Sequence, residues 1–252
     1  MRPVATPGVP LRPGVALARW RHLVLDVEDP DLMVEFWAGV SGLDVVPLAE
    51  RGEAGAERWL RGPTPAHAVR VQRAEGPRRS KNRVHLDVDA SSVAALEALG
   101  ARVLAPAEET GHAWTVMADP EGGELCCFVR DEVPAYRIHG VVVDCADPQE
   151  LARWWGSMLG TTPVVDDAGE VHTLEGVGPD ERLTIDFVAV PEPRIAPDRV
   201  HVELVGDRDA LVALGAVHRW DAPGHTVLAD PEGNDVGVVA PRPEDLEAGA
   251  TD

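Results

Sequence analysis

A chain of 252 residues suits one large domain or two of about 110–120 residues, each able to bury its own core. The formal net charge of −20 excludes a surface built for nucleic acid or anionic membrane, since both reward Lys and Arg. No run approaches the ~18 apolar residues of a membrane span, and three cysteines, two of them adjacent, form no disulfide framework, which points to a reducing cytoplasm.

In chain order, residues 1–19 form an extension broken by prolines, without the continuous apolar stretch of a signal peptide. "HLVLDV", from His22, alternates as a strand; "PDLMVEFWAGV" follows with helical spacing, Pro30 suiting a first turn and Gly42 a stop. The short β-like runs "LDVVPL", "AERWLR" and "AVRVQRA" come next. The order then repeats: strand "RVHLDVD", helix "SSVAALEALG", strands "ARVLA", "HAWTVMA" and "ELCCFV". This is β-α-β-β-β twice in residues 20–131.

After a linker at 132–136, residues 137–241 run through the same order again. "HGVVVDCADPQELARWWGSMLG" matches the segment from His22, "PDRVHVEL" matches "KNRVHLDV", and "TVLADPEGN" matches "TVMADPEGG". The acidic end, 242–252, reads as a disordered tail. The fold class is α+β: two tandem copies, each a pair of β-α-β-β-β modules in a curved mixed sheet with helices on the convex side.

Strand alternation separates two faces. Val84, Leu86 and Val88 oppose His85, Asp87 and Asp89; Val200, Val202 and Leu204 oppose His201 and Glu203. With helices over the apolar stripes, His22, His85, His139 and His201 all face the open side. The pairs Phe36–Trp37 and Trp154–Trp155 sit at helical spacing and read as core anchors. Trp59 and Trp114, on strands, are candidates to line a concave site, together with Arg70, Gln72, Glu57 and Arg61. Asp186 replaces Arg70 in the second copy.

The doubled module, the His in the first strand of each half and the closing Asp-Pro-Glu-Gly turn resemble the vicinal oxygen chelate superfamily, which includes glyoxalase I, extradiol dioxygenases and bleomycin-resistance proteins. The resemblance implies concave cups with ligand positions on the first and last strands of each half. Those positions fall at His22, Gln72, His85 and Cys126 in the first copy and at His139, Val188, His201 and Gly237 in the second. Metal-dependent members usually carry a Glu at the last position, where this chain has Cys126 and Gly237. The resemblance therefore favours no metal or other cofactor; zinc held by His22, Gln72, His85 and Cys126 is the alternative. Some members exchange halves between copies, which would group His22 and Gln72 with His201 and Gly237, or His139 and Val188 with His85 and Cys126. Neither grouping restores a Glu at that position.

Three functions follow. The first is a small-molecule binder of the glyoxalase-like type, acting by sequestration or by acid–base chemistry through His22 and His85. The second is a metal-dependent lyase, isomerase or dioxygenase working through the first copy, and the third is a non-catalytic scaffold. The expected partner is a small organic ligand, not nucleic acid or membrane, for a cytoplasmic protein that is a monomer with paired copies or a homodimer.

Overall fold

The computed structural model describes residues 16–47, 57–165, 169–222 and 224–242. The predicted acidic tail beyond residue 242, and all but the end of the N-terminal extension, lie outside them. The first module runs β1 (Ala18–Val27), α1 (Pro30–Ser41), β2 (Asp44–Val45), β3 (Arg58–Arg61) and β4 (Val69–Arg73). The second runs β5 (Val84–Ala90), α2 (Val93–Glu97), β6 (Arg102–Ala105), α3 (Ala107–Thr110), β7 (Thr115–Ala118) and β8 (Glu124–Val129). The third is β9 (Ile138–Cys145), α4 (Pro148–Leu159), β10 (Val164–Val165), β11 (Val171–Leu174) and β12 (Thr184–Ala189). The fourth is β13 (Val200–Gly206), α5 (Arg208–Ala213), β14 (Val217–Ala222), β15 (His225–Ala229) and β16 (Asp235–Val239). Among these helices only α3 has no counterpart in the sequence reading.

Helix ends follow local chemistry. Asp29 caps α1 by accepting from the N–H groups of Asp31 and Leu32 at 3.1 and 3.2 Å, with Pro30 in the first turn. Asp147 caps α4 in the same way through Glu150 N–H at 3.1 Å.

The sheets do not follow the copies. The first sheet has strand order β14-β15-β16-β13-β1-β4-β3-β2, and the second β10-β11-β12-β9-β5-β8-β7-β6. Each therefore joins one module of the first copy to one of the second, across an antiparallel centre: β1 with β13, and β5 with β9. Within each module the inner pair is parallel, as in β1 with β4 and β5 with β8. One apolar cluster fills the convex side of both sheets, from Leu23 and Leu25 to Leu86, Val143, Phe187 and Leu204. The helix α1 packs on β3 and β4 and also reaches β5; α4 packs on β11 and β12 and also reaches β1. No described helix is long and apolar enough to cross a membrane.

The Asp-Pro-Glu-Gly turn ties together the modules that the sheets separate. In the first copy Asp119 Oδ1 accepts from the N–H groups of Glu121 (2.9 Å) and Gly123 (2.6 Å), and Gly122 takes φ +85°. That left-handed backbone is where glycine carries no Cβ penalty. Glu121 then reaches out and accepts from Glu28 N–H at 2.8 Å and Asp29 N–H at 2.7 Å, at the start of α1. The second copy repeats this: Glu232 accepts from Ala146 N–H at 2.5 Å and Asp147 N–H at 2.8 Å. Each turn anchors the opening helix of its own copy, although turn and helix belong to different sheets.

Candidate functional site

The register places the side chains on each concave face. On the first sheet one row runs His201 (β13), Val24 (β1), Arg70 (β4), Trp59 (β3). The adjacent row runs Gly237 (β16), Glu203 (β13), His22 (β1). On the second sheet the corresponding rows are His85 (β5), Val142 (β9), Asp186 (β12), Thr173 (β11), and Cys126 (β8), Asp87 (β5), Gly140 (β9). Val24, Cys126 and Val142 are buried but stand outside the convex apolar cluster, as residues of the opposite face should.

This register overturns the grouping within each copy and gives the exchanged one, in which His22 and Gln72 share a sheet with His201 and Gly237, and His139 and Val188 with His85 and Cys126. His22, Trp59, Arg70, Gln72 and His201 belong to the first cup; His85, Trp114, Cys126, His139 and Asp186 belong to the second. The expected zinc set His22, Gln72, His85 and Cys126 does not assemble, because its two halves lie on different sheets. His22 and His85 likewise do not share a site. The physical cause is the central antiparallel pairing, which joins strands about 180 residues apart in the first sheet and about 50–60 apart in the second, and so escapes local pattern. Trp114 precedes β7 rather than lying on it, and stacks on His112 and Phe128 with ring centroids 4.5 and 5.3 Å apart.

The carboxylates that seemed missing from the last strands stand one strand inward. Glu203 is the register partner of Gly237, and Asp87 of Cys126. Gly237 leaves Glu203 its room, since a Cβ there would come within 3.1 Å of Glu203 Cγ. The alternation of "VHVEL" and "VHLDV" carries this signal, since it puts Glu203 on the face of His201 and Asp87 on the face of His85.

In the first cup the carboxylate is already satisfied. Glu203 is fully buried, and its oxygens are bound by the Arg21 guanidinium and by Arg70 Nη2 at 2.8 Å. His22 Nε2 lies 3.3 Å from Glu203 Oε1, and the Trp59 ring meets the His22 ring edge-on at 5.0 Å. Burial, then the positive charge of Arg21 and Arg70, lowers the His22 pKa to about 3. Burial and Arg70 lower His201 to about 4, so both imidazoles are neutral. Gln72 donates to Asp26 at 2.8 Å. Among the described residues this floor does not fit a metal ion, because guanidinium groups hold its fully buried carboxylate, Glu203, and Gln72 holds Asp26.

In the second cup the carboxylate is not satisfied. His85 Nε2 is 3.6 Å from Asp87 Oδ1, while His85 Nδ1 and Asp87 Oδ1 are buried with no hydrogen-bond partner. Donor atoms of His85, Asp87 and Cys126 all lie within 4.8 Å of one another. Burial, then the nearby Asp186 carboxylate, raises the Asp87 pKa to about 7, against a hydrogen bond from Cys126 that lowers it. Burial and Asp87 push the Cys126 thiol up, so in the absence of a bound metal ion it stays a thiol. Burial lowers His85 to about 4. Asp186 accepts from the Thr173 and Thr184 hydroxyls, each at 2.6 Å.

Further along β5, Asp89 is bound by Arg130 (2.7 Å) and Arg182 (3.2 Å), with His139 Nδ1 at 3.3 Å. A cavity of about 390 Å³ opens there, lined by Asp89, Arg130, Glu132, Pro134, His139 and Arg182. Two residues along a strand is about 7 Å, so this opening is close to Asp87. Imidazole nitrogen, carboxylate oxygen and sulfur form a mixed donor set that fits a zinc-like ion with an open position.

The fold has known relatives. A putative dioxygenase from Bacillus subtilis superposes with a TM-score of 0.60 at 16% identity, over 90% of this chain and 86% of that one. Glyoxalase I from Zea mays gives 0.57 at 14% identity, over 92% and 95%. Comparison with curated protein sequences finds no match. The glyoxalase-like domain model matches twice, at residues 22–128 and 140–239, over most of the chain. The chain therefore belongs to the glyoxalase-like domain family, within the vicinal oxygen chelate superfamily, as a tandem member.

Proposed function

We propose that this protein binds a small organic molecule in the cup of the second sheet and moves a proton on it through Asp87. The observation that carries the reading is the difference between two equivalent carboxylates. Glu203 is neutralised by two guanidinium groups, whereas Asp87 has none among the described residues and faces Asp186 at the position Arg70 holds in the first sheet. A carboxyl group that titrates near neutral pH exchanges protons where a general acid or base is most effective. His85, neutral and beside it, supplies a second polar contact, and the cavity at Asp89 admits the ligand. The first cup, closed over its own ion pairs, serves as structure.

Tryptophan fluorescence titrated against a metabolite panel tests this, because Trp114 lies against Phe128, the register neighbour of Asp89. A ligand should change the emission, and Asp87→Asn should abolish turnover while leaving the fold intact. Retained turnover in that variant would remove Asp87 from the chemistry.

The second reading is a metal centre, favoured by the convergence of His85, Asp87 and Cys126. These three residues would hold the ion, which when bound would polarise an oxygen of the substrate. Protein purified without chelator should then contain one equivalent of zinc or a similar ion, lost in Cys126→Ser; metal-free protein with full activity would exclude it.

A further inference from the structure

The two sheets are built from the same modules, so each serves as a control for the other. In the first sheet Arg70 follows Val24 in the row that starts at His201, and its guanidinium crosses to the adjacent row to bind Glu203 at 2.8 Å. In the second sheet the row starting at His85 passes through Val142 to Asp186. The carboxylate corresponding to Glu203 is Asp87, 116 residues earlier, the same offset that relates His85 to His201. One cup thus contains a bound cation supplied by its own chain. The other has the receiving carboxylate, a second carboxylate where the cation would originate and, among the described residues, no Lys or Arg paired with either.

We propose that the second cup binds a cationic group of its ligand, a guanidinium or ammonium, at the place that the Arg70 guanidinium fills in the first. This rests on the reading that the second cup is the ligand site, and it adds the chemical class of the ligand. The charge count on that face supports it. Asp89 is paired with Arg130 and Arg182, and Asp144 with Lys81 at 2.8 Å. Among the described residues Asp186 is hydrogen-bonded by the two threonine hydroxyls, and Asp87 meets the Cys126 thiol and the imidazole of His85; neither is paired with Lys or Arg. Like carboxylates facing each other without a counter-charge are costly, and a cation between them removes that cost. Phe128 lies on the same face with Trp114 stacked against it, and the Arg130 guanidinium already sits 5.3 Å over the Phe128 ring. These rings favour a delocalised or alkylated cation over a hydrated one.

Isothermal titration of the full chain with methylguanidinium, methylammonium and acetate tests the proposal. Saturable binding of the two cations and none of acetate is expected, weakened at least ~10-fold by Asp186→Asn. Asp186→Arg should supply an internal guanidinium, abolish binding of both cations and raise Tm. Asp87→Asn, which keeps the side-chain shape, should also lose cation binding; circular dichroism confirms that each variant is folded. Acetate binding as tightly as the cations, or cation binding unchanged in Asp186→Arg, would overturn the proposal. So would one equivalent of Zn²⁺ bound in a Cys126-dependent way with methylguanidinium inert. If the fluorescence panel yields only neutral or anionic ligands whose binding depends on Asp87, the cup stands as the ligand site and its cation preference falls.

Discussion

Arg70 and Asp186 occupy equivalent places with opposite charge, and this pair of residues separates the two cups. Arg70 is buried and ion-paired, so removing it leaves Glu203 buried without its partner at Nη2. Losing one member of a buried pair typically costs about 3–5 kcal/mol. Arg70→Met, which keeps most of the side-chain volume, should therefore lower stability by that order in urea unfolding, and Arg70→Met with Glu203→Gln should recover part of it. A second buried acid gives a pH test. Burial raises the Asp198 pKa to about 7, against the attraction of Arg194, so the folded state holds its proton where the unfolded chain has released it. The stabilising effect of that proton is complete below the unfolded value of about 3.9 and is lost as pH rises through about 7. Tm should fall across that window. Asp198→Asn, which installs the residue present at the matching position Asn82, should reduce the slope; an unchanged slope would assign the effect elsewhere.

At the scale of elements, the Asp-Pro-Glu-Gly turn acts as a clasp. Its Asp and Gly shape the turn, which the sequence made legible through residues whose conformational roles are local. The role of its Glu was not legible, since Glu121 bonds to N–H groups 92 and 93 residues away. Glu121→Ala should free two backbone donors at the start of α1 and cost about 1–2 kcal/mol, as loss of a helix cap does. Glu232→Ala should do the same at α4. Additive losses in chemical denaturation are expected, because the two clasps hold different helices; a loss near zero in both would show that water replaces the glutamates.

At the scale of the molecule, each sheet needs both copies. A fragment ending in the 132–136 linker would contain the modules carrying β1 and β5, each lacking its central partner, β13 or β9. The exposed central strands would offer unpaired backbone and apolar faces. Residues 1–134 expressed alone should not form a cooperatively folded monomer, as judged by sedimentation and thermal denaturation. Mixing with 135–252 should restore the native circular dichroism. A stable, monomeric first copy would contradict the observed pairing.

The sequence by itself determined the four modules, the convex apolar faces of Leu23, Leu86 and Leu204, the histidines opposite them, and the family. Those features depend on alternation, helical spacing and turn chemistry, all of which act within about ten residues. Only the tertiary structure decided which modules share a sheet, and hence that His22 and His85 are apart, that Arg21 and Arg70 close over Glu203, and that Asp87 is left facing Asp186. The reason is that charge compensation depends on distance in space, and the strands that set those distances pair across more than fifty residues of chain.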